Sequence, residues 1–528
     1  MMKTYISTIM TVLAAALLFT SCNDYLNEKP KGKKIPTTLA DYEAFLRDEY
    51  DVHRMDVGQS SYLLNDRYLT NSNASYYPMY AANYNWDTSV DRVYYNNSDE
   101  TTYYAAYSGI NYCNLVIENA PTATDATDAK KNEVMAYAKV LRTMHYFLLA
   151  NYYADTYQSG SAAVKLSIPL ITSSEVGASY TQVTVKQIYD FMINDLTEAI
   201  PYLPDMGTTV LHPGKGAAYA MLARIYLQMM DYTDALEYAN KALAINDKLI
   251  DWNEFYKANK SVIDSESSAQ TSQTPLGFNS VESYNFNYGS SSSGARINNM
   301  PQWRAKMFED GDIYFKCNWK LYTVGSETYY RGITTGAINY NGMRTVEQYL
   351  IKAECLARNN QLTEAMNVLN TVRKHTVSTD KYVPLTASSV AEAIGYIRQE
   401  KDNLLIYSIV PFADARRYNA EGIYTRTLSK EKDGKTVQIA VARYVTNPDG
   451  ETVEFALAVA DAWQKHGVGR KLMSALIECA RMKGYRAVVG DVLSQNTKMF
   501  RLMTSLGFTI HPHPDDPAVK RVICSLHS

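Results

Sequence analysis

The segment "YAMLARIYLQMMDYTDALEYANKAL", residues 219 to 243, leaves the chain few folds to choose from. Tyr219, Leu222, Ala223 and Tyr226 recur at helical spacing and share one face. Asp231-Tyr232 interrupts the pattern as a turn, and Ala235, Ala239 and Ala242 give a second helix a smooth face that can lie close to the first. The unit fits the helix-turn-helix template of a tetratricopeptide repeat. "YLIKAECLARNNQLTEAMNVLNTVRK" (349 to 374) repeats the plan with Ala353, a turn at Asn359-Asn360, Ala365 and Leu369, although Lys352 stands where a leucine is usual. The two units start at 219 and 349, much further apart than the ~34-residue period of a tandem array. "VMAYAKVLRTMHYFLLANYYADTY" (134 to 157) and "VKQIYDFMINDLTEAIPYLP" (185 to 204) are also helical by period. The expected fold class is mainly α, tetratricopeptide-like helix pairs with long irregular insertions, followed by a small α/β segment.

That second segment shows first in composition. Of 44 tyrosines only Tyr444 and Tyr485 lie beyond residue 430. Asn and Ser are abundant before that point, and Val, Ala, Lys and Arg after it. Such a shift argues for two modules meeting near "LSKEKDGKTV" (428 to 437). The N-terminus is a third unit. Lys3 is a positive n-region, "ISTIMTVLAAALLF" (6 to 19) an apolar h-region, and "TSC" precedes Cys22, which reads as an export signal rather than a spanning helix. The expected organisation is residues 1–21 as signal peptide, 22–430 as the helical module and 431–528 as the α/β module. A net charge of −3 without a long basic run excludes nucleic acid as an expected partner. Six cysteines without CxxC spacing suggest neither a disulfide scaffold nor a metal site.

Cleavage before Cys22 resembles a bacterial lipoprotein box, with Phe19 in place of the usual leucine. Acyl chains on Cys22 would hold the protein on a membrane without spanning it. Further resemblance lies in "CNDYLNEKP", "LRTMHYFLLANYYADTY", "VTVKQIYDFMINDLTEAIPYLP", "KGAAYAMLARIYLQMMDYTDALEYANKAL" and "QYLIKAECLARNNQLTEAMNVLNTVR". In this order they resemble the SusD/RagB family over roughly residues 15 to 430. The resemblance implies a surface lipoprotein of the outer membrane that binds glycans, or sometimes peptides. It also implies a lid on a TonB-dependent transporter of the SusC type, with binding rather than catalysis and no cofactor in this module.

The residues suit that role on their own. Sugar rings stack their C–H faces on aromatic rings, and amides satisfy the hydroxyls, because an unpaired polar group at a dehydrated contact is costly. "NSNASYYPMYAANYNWD" (71 to 87) and "FNSVESYNFNYGSSSSGARINNMPQW" (278 to 303) combine both types in non-periodic segments. Trp86, Tyr284, Tyr288 and Trp303 are the expected stacking rings, with Asn83 and Asn287 as polar partners. His53, His145, His212 and His375 show no nucleophile pattern, and the paired acids Asp310 and Asp312 read as exposed.

Beyond residue 437 strands and helices alternate. "QIAVARYV" and "TVEFALAVA" flank the turn "TNPDGE" and predict a hairpin. Val453, Phe455, Leu457 and Val459 share one face, and Glu454 shares the other with Ala456, Ala458 and Ala460. "QKHGVG" then opens a helix, where free N–H groups and the helix dipole favour an anion, and Gly467 and Gly469 would let a phosphate approach. "RAVVGDVL" (486 to 493) is the next strand, and Asn496 starts a helix that Gly507 ends. This order resembles the GNAT acetyltransferase fold from about 438 to 528, especially bacterial protein-lysine acetyltransferases. The resemblance implies acetyl-CoA held by Gln464, His466, Gly467, Val468, Gly469, Arg470 and Asn496, with Glu454 as general base. It also implies that the first strand and two helices of that fold are missing, residues 431 to 437 supplying a fragment of the second strand at most. Two readings follow: a glycan-binding surface lipoprotein with a truncated tail, or an acetyl-CoA-dependent N-acetyltransferase acting through residues 438–528.

Overall fold

The computed structural model describes residues 36–528 except 56, 88–89, 91–100, 176, 178–179, 266–271, 289–297, 423–429, 433–434, 438–439, 461–463, 465–466, 515 and 527–528. Cys22, residues 1–21 and His466 therefore lie outside the described residues. Four short helices open the described chain: α1 (Leu39–Leu46), α2 (Gly58–Leu63), α3 (Asn71–Tyr76) and α4 (Pro78–Tyr84). Longer ones follow, α5 (Thr101–Asn119), α6 (Asp128–Tyr153), α7 (Val185–Ala199), α8 (Lys215–Gln228), α9 (Tyr232–Ile245) and α10 (Trp252–Ile263). Their starts are written in the sequence. Thr38 and Thr184 form capping boxes with Asp41 and Gln187, while Thr127 caps α6 and Asp231 caps α9.

The predicted helix pair is α8–α9. Met230 adopts a left-handed φ of 64° at the turn, and Ala235, Ala239 and Ala242 are fully buried. After two short helices, α11 (Gln302–Ala305) and α12 (Ile313–Asn318), the second pair is α13 (Thr345–Arg358) and α14 (Leu362–Thr376). Though distant in sequence, the pairs touch: Ala223, Leu227, Ala235 and Ala239 cluster with Ile351 and Cys355. A buried ion pair crosses the same seam, Arg224 Nη2 to Glu347 Oε2 at 2.6 Å. Helices α15 (Val390–Leu404) and α16 (Val410–Glu421) complete the bundle, and Gly422 ends α16 at φ 72°. Four short strands, β1 (Leu166–Pro169), β2 (Gln182–Thr184), β3 (Ser272–Gln273) and β6 (Thr334–Thr335), pair off within the insertions. Between them β4 (Trp319–Val324) and β5 (Glu327–Gly332) form an antiparallel hairpin. Among the described residues no helix is long and apolar enough to cross a membrane, and the five described cysteines are free thiols.

The α/β module has its own core, built on Val453, Phe455, Met473, Leu476, Val488, Met503 and Val522. Strands β9 (Ala440–Thr446), β10 (Thr452–Val459), β11 (Ala487–Leu493), β12 (Thr509–Pro512) and β13 (Val519–Ser525) form one sheet in the order β12-β13-β11-β10-β9. Helix α17 (Val468–Met482) makes the crossover between the parallel strands β10 and β11, and α18 (Thr497–Ser505) lies between β11 and β12. The predicted hairpin is present: Asp449 Oδ1 accepts from the Glu451 and Thr452 N–H groups, and Gly450 takes φ 70°. One expectation is corrected. Strands β7 (Lys430–Lys432) and β8 (Lys435–Val437) pair with each other as a separate two-stranded sheet, so this segment does not extend the five-stranded one.

Candidate functional site

The two aromatic insertions converge on one surface. Tyr68 N–H donates to Asn299 O at 2.7 Å, and Arg67 Nη2 donates to Asn298 Oδ1 at 3.1 Å, joining the first insertion to the second. Glu327, at the tip of the β4–β5 hairpin, accepts from Tyr68 OH (3.2 Å) and from the Asn71 N–H (3.0 Å) at the start of α3. Burial and the neighbouring Glu327 charge hold the Tyr68 phenol protonated, its pKa raised. Tyr68 stacks on Tyr329 with centroids 4.8 Å apart, and Tyr329 meets Tyr322 edge-on at 5.7 Å. From α3 a second file of rings runs outward: Tyr76 against Tyr77 (4.6 Å), Tyr77 against Tyr80 (5.1 Å), and Tyr80 against Tyr62 (4.8 Å). Tyr76 is 75% exposed and Tyr77 45%. Exposed rings on a buried aromatic base form a firm stacking platform, and the exposed Asn71 and Ser75 stand beside it on α3.

The residues chosen from sequence fare differently. Asn83, Tyr284, Asn287 and Tyr288 are corrected: all four are buried and offer no face to a ligand. Tyr284 OH donates to Asn246 O at 2.6 Å while its ring lies against Gly216, where even a Cβ would clash at 2.6 Å. Tyr288 closes an aromatic cluster with Phe286 and Phe278, and Asn83 bonds Gln59. Trp86 is half-buried at φ 53°, and its indole N–H donates to Leu63 O at 2.7 Å, which makes it a brace for the α4 turn. Trp303 is half-buried on α11, which Gln302 ties to the hairpin through Thr328 O at 3.3 Å. The next residue, Arg304, is buried and fixes α11 through Asp66 (3.0 Å) and Asn403 (2.7 Å). The acids Asp310 and Asp312 part company: Asp310 is exposed, whereas Asp312 is buried and caps α12. In the first insertion the exposed rings are the adjacent Tyr76 and Tyr77 of "SYYPMY".

The α/β module offers a second site. Paired positions of β10 and β11 stop at Glu454 and Val489, although the strands continue to Val459 and Leu493, so the two part and leave an opening between them. Glu454 stands where they part, exposed, on the face away from Val453 and Phe455. Gly467 caps α17 with φ 77°, a conformation that favours glycine, and no side chain caps this helix start. The first intrahelical bond runs from Lys471 N to Gly467 O, which leaves the first-turn N–H groups of Val468, Gly469 and Arg470 without helix partners. A side chain at Gly469 would meet Leu502, Leu457 and Val459 at 3.4–3.6 Å, ordinary contact on the apolar side of α17, while its N–H stays at the open helix start. Arg470 reaches Ser505 Oγ at 2.6 Å, Gln464 Nε2 donates to Val459 O at 3.3 Å, and Asn496 caps α18 through Met499 N at 3.1 Å. The uncapped helix start fits an anionic pyrophosphate such as that of acetyl-CoA.

Helix pairs carrying aromatic insertions thus precede a mixed sheet with a parted strand pair. Comparison with known proteins gives both families. Residues 24–227 match the SusD-like family described as starch-binding and associating with the outer membrane, and residues 395–508 match the acetyltransferase (GNAT) family. Each match covers part of the chain: one stretch is similar to SusD-like proteins and another to GNAT acetyltransferases. The second match begins inside α15, earlier than the strand-rich segment, in a helix whose Ala393, Ile394 and Ile397 belong to the helical core. The L-methionine sulfoximine/L-methionine sulfone acetyltransferase of Salmonella typhimurium is 44% identical over 69 residues, 13% of this chain and 40% of that protein. SusD-like protein P2 of Formosa agariphila is 30% identical over 134 residues, 25% of each chain. The chain thus spans less than half the length of either curated relative. Among solved structures, a SusD-like carbohydrate binding protein from Bacteroides vulgatus superposes with a TM-score of 0.57 at 18% identity, covering 80% of this chain and 90% of that one.

Proposed function

We propose that residues 22–430 form a surface glycan-binding module that takes up its ligand on the Tyr76–Tyr77 ridge. The observation that carries this reading is that ridge: two exposed rings on a braced aromatic base, set on a SusD-like fold. Sugar rings would stack on Tyr76 and Tyr77 while Asn71 and Ser75 meet hydroxyls, without any bond being made or broken. A peptide remains the alternative ligand. Delivery to a TonB-dependent transporter of the SusC type, and anchoring at the outer-membrane surface through acylated Cys22, belong to the same proposal. Titration calorimetry of the purified protein with a glycan panel tests binding, with Tyr76→Ala and Tyr77→Ala as controls. Loss of each ring lowers the affinity if the reading holds. Fatty-acid labelling of wild type against Cys22→Ala tests the anchor, and equal labelling of both rejects it.

The second reading, an N-acetyltransferase acting through residues 438–528, is favoured by the parted β10–β11 pair and the uncapped start of α17. Acetyl-CoA would supply the acetyl group as a thioester. The first turn of α17 would hold its pyrophosphate, and Glu454 would take the proton from an acceptor amine. L-methionine sulfone and lysine peptides are the acceptors to test.

A further inference from the structure

One face of the β4–β5 hairpin carries a cation, Arg331, that no carboxylate pairs with among the described residues. The register sets Lys320 opposite Arg331, Tyr322 opposite Tyr329 and Val324 opposite Glu327, so these six residues share a face. Like charges directly opposite one another destabilise an antiparallel pair. Lys320 is partly relieved, because its Nζ donates to Val262 O (3.1 Å) and Ser265 O (2.6 Å). Those carbonyls are neutral; burial works against the Lys320 charge and the nearby Asp264 carboxylate supports it, which leaves Arg331 as the cation of this face that no carboxylate meets among the described residues. Arg331 is half-buried with its guanidinium carbon 5.0 Å from the centre of the Tyr322 ring, a cation–π arrangement that places the group over the ring. Glu327, the one carboxylate among these six residues, lies at the hairpin tip, four residues from Arg331, where it accepts from Tyr68 OH and the Asn71 N–H. Glu327 also links this face to α3, which over its six residues carries Tyr76 to within about 9 Å of Asn71.

Resting on the reading of the ridge as a glycan platform, we infer that the ligand is an acidic glycan, with a carboxylate or sulfate group received by Arg331 while neighbouring sugars stack on Tyr76 and Tyr77. A planar guanidinium matches such oxyanions through paired N–H bonds, and an anion there offsets the Lys320–Arg331 repulsion. The test is calorimetry on the full-length protein with three probes, polygalacturonate, a sulfated galactan and starch, at 50 and 500 mM sodium chloride. Expected is binding of at least one acidic probe about tenfold tighter than starch in low salt, weakened by high salt. Arg331→Gln lowers acidic binding about tenfold and leaves starch unchanged, and Arg331→Lys restores part of the loss. The better of the two acidic probes distinguishes carboxylate from sulfate. Starch binding as tight as the acidic probes, or acidic binding unmoved in Arg331→Gln, overturns this inference while leaving the glycan reading intact. No binding to any probe by a folded protein overturns both.

Discussion

Arg417 and Glu354 meet at the centre of the helical module as a fork, Nη1 to Oε1 at 2.7 Å and Nη2 to Oε2 at 3.0 Å, both fully buried. Asp414 accepts from the same guanidinium at 3.1 Å, and Lys401 Nζ reaches Asp414 Oδ2 at 2.7 Å. Despite burial, the surrounding Arg417, Lys401 and Arg358 charges hold the Glu354 carboxyl well below the usual range. This network joins α13, α15 and α16 where an apolar core would be ordinary. Removing one member of a buried ion pair leaves its partner charged and unpaired, at a cost of roughly 3–5 kcal/mol. Glu354→Ala should therefore lower the unfolding free energy by about that much, measured by urea unfolding. A Glu354→Leu/Arg417→Met double variant should lose clearly less than the two single losses added.

Stability should respond to pH through two sets of buried groups with opposite signs. Burial pushes His53 and His145 down from 6.5 to about 4. Their contribution is complete above 6.5 and is lost as pH falls towards 4. Burial pushes the Glu400 carboxyl up from 4.5 to about 7, against the hydrogen bond from Thr376. Its contribution is complete below 4.5 and is gone once pH has risen through about 7. Glu400→Gln should gain stability relative to wild type between pH 5 and pH 8, followed as the difference in melting temperature. A difference that stays flat across that range would remove Glu400 from the account.

Replacing the ridge tyrosines should separate binding from folding. Loss of a stacking ring, Tyr76→Ala or Tyr77→Ala, should cost roughly 1–3 kcal/mol of glycan affinity, by analogy with bases stacked on aromatics, and little stability. Trp86→Ala should do the reverse, because its indole N–H holds Leu63 O and the ring supports a strained turn. Melting temperature and calorimetry on the same three variants give the comparison.

The helix pairs were legible because period, turn and alanine face all lie within one short window, as Ala235, Ala239 and Ala242 show. The sheet was legible for the same local reason, from the alternation Val453, Phe455 and Leu457 and from the glycine at Gly467. The ridge was not. Whether Tyr76 or Tyr284 faces solvent depends on what the other insertion covers, and Tyr284 is hidden by Asn246 and Gly216, residues distant in sequence. Local pattern likewise gave no sign that Arg417 and Glu354 would be interior. Charged residues at helical spacing read as a solvated face until a third helix is packed over them.

Acetyl transfer by the α/β module should be weak. The uncapped start of α17 is intact and should retain some affinity for acetyl-CoA through the pyrophosphate. Transfer also requires the acceptor amine, whose ordinary pKa is ~10.4, to be fixed beside Glu454 and deprotonated there. Nothing among the described strands builds a wall on that side: Glu454, Ala456 and Ala458 are all exposed. Helix α16 and the part of α15 from residue 395 onward, which fall within the residues matched to the acetyltransferase family, bury Ile397, Ala413 and Tyr418 in the helical module instead. Binding should therefore outlast catalysis. In an assay with labelled acetyl-CoA, Gly467→Glu should abolish acetyl-CoA binding, since it places a carboxylate where the pyrophosphate would lie and strains a left-handed position. Glu454→Gln should leave binding intact and remove whatever slow transfer is seen to lysine peptides or L-methionine sulfone. Rapid turnover that both substitutions abolish would make this module a working enzyme and give the acetyltransferase reading precedence.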